Sequence, residues 1–163
     1  MKTYKSLLEI NEMTRSGEKI SKVEKVIICP FYYENEIEYI ESLKYQDEKY
    51  LSYHYIIERE GNIFNIVPEE EISYPTNNIS FNLKCISIGV YIKEKREKIN
   101  RKQEKSLISL IKNICNKYNL VINKDVLIFY DICCTREFEY YIDNYFEFED
   151  IKEKIKKYKK IPL

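Results

Sequence analysis

The 163 residues carry 27 Lys+Arg and 27 Asp+Glu, a formal net charge of zero, with 44% hydrophobic and 33% charged residues. A chain of this size and apolar content builds one domain around one core, which excludes intrinsic disorder and a membrane-embedded chain, and zero net charge leaves no long-range field to draw it onto nucleic acid. The five cysteines, Cys29, Cys85, Cys115, Cys133 and Cys134, are odd in number and form no C-x-x-C pair, so free thiols are expected rather than a disulfide framework or a zinc knuckle.

The first residues, MKTYKSLLEI, lack the apolar core of a secretory signal, and no apolar run approaches the length of a membrane span. The chain is therefore expected to be cytoplasmic as synthesised, with any access to a cell wall needing lysis or a dedicated export route. Residues 1–22, with Thr14, Ser16 and Gly17, read as an N-terminal arm, and residues 23–163 as the domain. Val26-Ile27-Ile28-Cys29 reads as a buried strand, and Pro30 is expected to set a bend before a helix over 34–46, where Ile37, Ile40 and Leu43 recur at helical spacing.

Two β-rich runs, 53–59 and 63–67, flank Glu60-Gly61-Asn62 and predict a hairpin. In 85–92, Ile86, Ile88, Val90 and Ile92 take one face of a strand and Cys85, Ser87, Gly89 and Tyr91 the other, whose smaller groups leave room for a cleft. Asn100 with Gln103 predicts a capping box ahead of a long helix striped by Leu107, Leu110, Ile111, Ile114 and Tyr118. Residues 125–130 predict another strand, and Ile151, Ile155 and Tyr158 a last helix within the Lys-rich tail. The class is α/β: a single domain with a central mixed β-sheet flanked by helices.

The segments YHYIIEREGNIFNIVPEEEISY (53–74), CISIGVYI (85–92) and the run from the long helix through KYNL to FYDI (129–132), in this order and spacing, resemble the zinc-dependent N-acetylmuramoyl-L-alanine amidases of the phage-lysozyme and peptidoglycan-recognition-protein family. The resemblance covers roughly residues 17–157. It implies the amidase fold and a catalytic Zn²⁺ held by two His and a Cys or similar ligand, with a water at the fourth position to attack the lactyl-amide carbonyl.

At the positions where the resemblance places those ligands, this chain has Cys29, Phe129 and Glu137, and Phe129 has no atom to donate to a metal. Tyr91 stands where the family often has a Glu base, and Thr135 where many members carry a Lys. A Tyr with an ordinary pKa near ~10 is a poor base at neutral pH. Tyr53 matches a Tyr auxiliary of some phage members, and Pro75 replaces a His that follows Tyr74 and lines the substrate cleft in relatives. The resemblance thus implies a zinc site that has lost its ligands, no cofactor, and a candidate cleft of Tyr53, Tyr74, Pro75 and Tyr91.

Other features read as framework. His54, the one histidine, alternates with Tyr53 and Tyr55 along a strand and is expected to be a hydrogen-bonded framework residue rather than a base. Cys29 is expected to be a buried inert thiol, Cys133 and Cys134 with Asp131 and Glu137 not to hold a metal, Tyr39, Tyr55 and Tyr118 to serve the core, and the lysines of the tail to form a solvated face. The expected function is a catalytically inactive amidase-like domain that binds peptidoglycan fragments or a protein partner through the former active cleft, with no nucleic acid and no membrane span. The rivals are an active peptidoglycan amidase with an altered metal or thiol site, and a structural or regulatory protein with a filled cleft.

Overall fold

The β-branched runs pair into one sheet. In the computed structural model, which describes residues 2–5, 7–10, 15–32, 52–76, 78–93, 98–128 and 148–158, strands β1 (Thr3–Lys5), β2 (Lys25–Tyr32), β3 (Tyr55–Ile57), β4 (Ile63–Asn65), β5 (Cys85–Ile92) and β6 (Val126–Ile128) lie in the order β1-β4-β3-β5-β2-β6. β5 pairs in parallel with β2 along the length of both and with β3 on its other side, and β2 pairs in parallel with β6. β3 and β4 form the expected antiparallel hairpin, and β1 runs parallel to β4 at the edge. The helices are α1 (Ile79–Asn82), α2 (Arg101–Tyr118), α3 (Ile122–Asp125) and α4 (Phe148–Tyr158).

Alternation along the strands makes two cores, one on each side of the sheet. Val26, Ile28, Ile57, Ile86, Ile88 and Val90 face the apolar stripe of α2 (Leu107, Leu110, Ile111, Ile114) and Ile151 and Ile155 of α4. Ile27, Cys29, Ile56 and Cys85 face the other way, against Leu8, Tyr53, Ile66 and Val67. Each fully buried Ile contributes about 1.5–3 kcal/mol relative to exposure, so a register slip that reversed β5 would forfeit both cores together.

The long helix starts where its capping box predicts. The Asn100 side chain accepts from Lys102 N–H and Gln103 N–H, and the Asn100 amide donates back to Gln103 Oε1. The chain leaves the helix through Asn119 in the left-handed conformation (φ 55°). The hairpin turn touches this helix at Gly61, which has φ +79° and whose Cβ, if present, would lie 2.8 Å from the Lys102 carbonyl oxygen. Both facts require glycine there. Ser106 Oγ donates to Gly61 O at 2.6 Å across the same contact.

Three expectations need adjusting. The stretch read as an arm supplies β1, buries Leu8, and anchors Arg15 on Glu71, so it is part of the sheet and its packing. Pro30 makes no bend. It continues β2 in register with Val90, near the C-terminal end of the strand, where a φ fixed near −65° is tolerated. Asp125 ends α3 instead of starting β6, because its carboxylate accepts from Val121 N–H (2.8 Å) and pairs with Lys25 Nζ (2.7 Å). The helix expected over 34–46, with Tyr39, lies outside the described residues.

Candidate functional site

Register brings Cys29 of β2, Gly89 of β5 and Ile56 of β3 to one level of the sheet. Gly89 leaves a gap on this face, and two rings fill it. A Cβ on Gly89 would sit 2.7 Å from Tyr53 Cδ2 and 2.9 Å from Phe31 Cε1. Phe31 and Tyr53 stack with centroids 5.5 Å apart, and Tyr91, the register partner of Phe31, tilts against it at 5.8 Å. Exposure is 2% for Cys29 and Tyr53 and 3% for Tyr91. The small-residue face therefore carries a packed aromatic layer where an open floor was expected.

Next to Tyr53, His54 is wholly buried. Its Nε2 lies 2.9 Å from the carbonyl oxygen of Glu71, which can only accept, so Nε2 carries the proton. Its Nδ1 receives the backbone N–H of Ser87 at 2.9 Å, with the hydroxyls of Ser73 and Ser87 at 2.9 and 3.1 Å. Burial lowers the imidazole pKa from 6.5 to about 4, against smaller raising effects from the Glu71 carbonyl and the nearby carboxylates. The ring is neutral and committed at both nitrogens, as its framework reading requires.

The strand entry is fixed from the other side by Ser52 and Tyr74. Ser52 N–H donates to Tyr74 O at 3.1 Å, Tyr74 N–H donates to Ser52 Oγ at 3.0 Å, and the Tyr74 hydroxyl donates to Ser16 Oγ at 2.8 Å. Pro75 is buried, and Thr76 Oγ1 donates to Asn82 Oδ1 at 2.7 Å. Of the four candidate cleft residues only Tyr74 is partly exposed; Tyr53 and Tyr91 meet through Phe31, while Tyr74 and Pro75 belong to the neighbouring segment.

A model of the N-acetylmuramoyl-L-alanine amidase family matches residues 21–135. The chain belongs to that family. Solved structures agree on the fold: PlyL superposes with a TM-score of 0.74 at 14% identity, covering 95% of this chain and 97% of that one. The N-acetylmuramoyl-L-alanine amidase LysC from Clostridium intestinale URNW gives 0.66 at 22%, covering 93% and 97%. Drosophila peptidoglycan recognition protein SD gives 0.56 at 11%, covering 80% and 87%. No curated protein sequence matches.

Of the amidase positions singled out in the sequence, the structure describes Cys29, Tyr53, Tyr74, Pro75 and Tyr91. Phe129, Tyr130, Asp131, Cys133, Cys134, Thr135 and Glu137 lie outside the described residues. The cysteines Cys29, Cys85 and Cys115 are buried thiols without disulfides, and burial pushes the Cys85 pKa up to about 12, far from a reactive thiolate. Among the described residues no three His, Cys, Asp or Glu side chains gather as a metal site, and no helix is long and apolar enough to cross a membrane.

Phe31 escaped the sequence reading although its parity with Cys29 places it on the site face. Glu69 escaped it as well. It accepts from Tyr55 OH (2.6 Å), Tyr118 OH (2.8 Å) and Lys117 Nζ (2.5 Å), and although burial pushes its pKa upward, those three donors hold it below the ordinary value. Tyr55 and Tyr118 pack on the core as expected, but this shared carboxylate, far along the chain from Lys117 and Tyr118, has no local sequence signal.

Proposed function

We propose that this amidase-family domain recognises peptidoglycan fragments without hydrolysing them. The observation that carries the reading is His54: the chain's one imidazole is buried and spends both nitrogens on Glu71, Ser73 and Ser87. No imidazole then remains to bind zinc or to move a proton. On donor chemistry, Cys29, Phe129 and Glu137 do not fit a three-ligand zinc centre, since a phenyl ring offers no lone pair. Tyr91, buried beside Phe31, replaces the carboxylate base, and Thr135 offers no cation to a developing oxyanion.

Fragment recognition rests on family membership and on the fold shared with solved amidases. A second reading, a filled cleft that serves a protein partner, is favoured by the burial of Tyr53 and Tyr91. Elemental analysis of protein purified without chelator, joined to calorimetric titration with muropeptides and an assay for stem-peptide release, tests both. The proposal expects substoichiometric zinc, measurable muropeptide binding and no release. Turnover that is abolished by chelator and restored by zinc would establish an active amidase with an altered site, and absent muropeptide binding would favour the partner reading.

A further inference from the structure

We propose that the solvent face of α2 docks a linear polyol-phosphate polyanion of the cell wall. Although the chain is neutral overall, the outward residues of this helix are unevenly charged: Arg101, Lys102, Lys105, Lys112 and Lys117 point away from the core stripe. The one acid of the helix, Glu104, is turned to α4 and paired with Lys154 at 2.8 Å. Lys102 pairs with Glu60 and Lys117 with Glu69 at the two ends, while Arg101 and Lys105 make no ion pair among the described residues. At ~1.5 Å per residue, the cations from Arg101 through Lys105 to Lys112 line a track about 16 Å long.

The residues between the cations select the kind of polyanion. Ser109, Asn113 and Asn116 are neutral hydrogen-bonding groups on the same face, suited to the hydroxyls of a polyol chain. A membrane-seeking helix would set apolar side chains opposite its charges for insertion, whereas here the apolar stripe is buried in the core and, among the described residues, the nearest exposed large apolar side chain, Val121, lies past the C-cap. A single-stranded nucleic acid would want stacking rings, and the outward face has none. This face lies on the side of the sheet opposite Cys29 and the aromatic layer, so the polymer would be held apart from the cleft. The inference rests on family membership for the setting of a cell wall and is independent of whether the cleft is catalytic.

The test measures binding of the full chain to poly(glycerol phosphate), and its retention on wall sacculi before and after acid removal of phosphodiester polymers. Affinity for the polymer should fall about tenfold or more between 50 and 200 mM salt, as release of counterions by about three cations requires. The variant R101E/K105E/K112E should bind at least about tenfold more weakly while melting cooperatively and keeping the parent's affinity for muropeptides; R101Q/K105Q, with a smaller loss, serves should the reversal impair folding. Equal retention on stripped and intact sacculi, an unaltered affinity in the variants, or tighter binding to phosphatidylglycerol vesicles or to DNA than to the polymer would overturn the proposal. Loss of muropeptide binding with polymer binding intact would count against the cleft reading alone.

Discussion

Nδ1 of His54 accepts the backbone N–H of Ser87 at 2.9 Å, joining β5 to the residue that precedes β3 through an imidazole that is never exposed. The bond needs the neutral ring. Its pKa is lowered to about 4 in the folded chain against 6.5 for the free side chain, so below 6.5 the unfolded state takes up a proton that the folded state refuses, and stability falls with pH until both states are protonated below about 4. Denaturant titration should show a loss of about 2 kcal/mol between pH 7 and pH 5. Glu69, Glu71 and Asp125, all held below their ordinary values by their partners, add losses only at lower pH. A His54→Gln variant should be flat across pH 5–7.

Removing the imidazole altogether tests the same network by a different route. His54→Leu leaves the Ser87 amide and the Glu71 carbonyl without their buried partner, at about 1–3 kcal/mol for each group, so a total loss of about 2–6 kcal/mol is expected from chemical denaturation. His54→Gln, which keeps a donor and an acceptor, should lose less. A catalytic or metal-binding role for His54 would instead show as lost activity or zinc at unchanged stability.

The parts of the fold that were legible are those whose signal is local. The alternation in 85–92 delimits β5 as observed, and Asn100 with Gln103 marks the start of α2, because parity and capping act within a few residues. The Gly89 face was misread for the opposite reason: its small groups do signal space, but only the neighbouring strands decide that Tyr53 and Phe31 fill it. Arg15 on Glu71, 56 residues apart, is likewise a tertiary choice. Pro30 shows turn chemistry losing to context, since the pairing of β2 with β5 runs through it in register with Val90.

Gly89→Ala probes the aromatic layer directly. The new methyl would meet Tyr53 and Phe31 below 3 Å, so both rings must move within a buried cluster, at about 1–3 kcal/mol of overpacking. Near-ultraviolet circular dichroism, dominated by tyrosine in a chain without Trp, should change while the far-ultraviolet signal stays. An unperturbed spectrum with parental stability would mean that the rings do not close over Gly89.

Cys29→Ser exchanges a buried thiol for a hydroxyl of smaller volume in the same core cluster, an effect on the order of 1–2 kcal/mol on stability. Muropeptide affinity should be unchanged. If an activity is measured for the parent and disappears with this variant alone, Cys29 is a nucleophile or ligand and the inert reading of the thiol is wrong.

Restoring the family's donors asks whether the scaffold still holds amidase geometry. In the combined variant Cys29→His, Phe129→His and Glu137→Cys, three donors should converge as a tetrahedral catalytic zinc requires, with water as the fourth ligand, so zinc affinity should rise sharply in a competition titration. Hydrolysis should stay weak, because Tyr91 is not a carboxylate base and Thr135 cannot stabilise an oxyanion, and each such loss costs on the order of 10²–10⁴ in rate. Adding Tyr91→Glu supplies the base, but at a position 3% exposed and packed on Phe31. A carboxylate buried there lowers stability, and bound zinc should return part of it. The four-site variant is therefore expected to melt earlier than the three-site one without metal, to gain more from zinc, and to release stem peptide measurably. A three-site variant that folds cooperatively yet binds zinc no better than the parent would show that these positions do not face a common point, and with it the correspondence of Cys29, Phe129 and Glu137 to the family's ligands would fall.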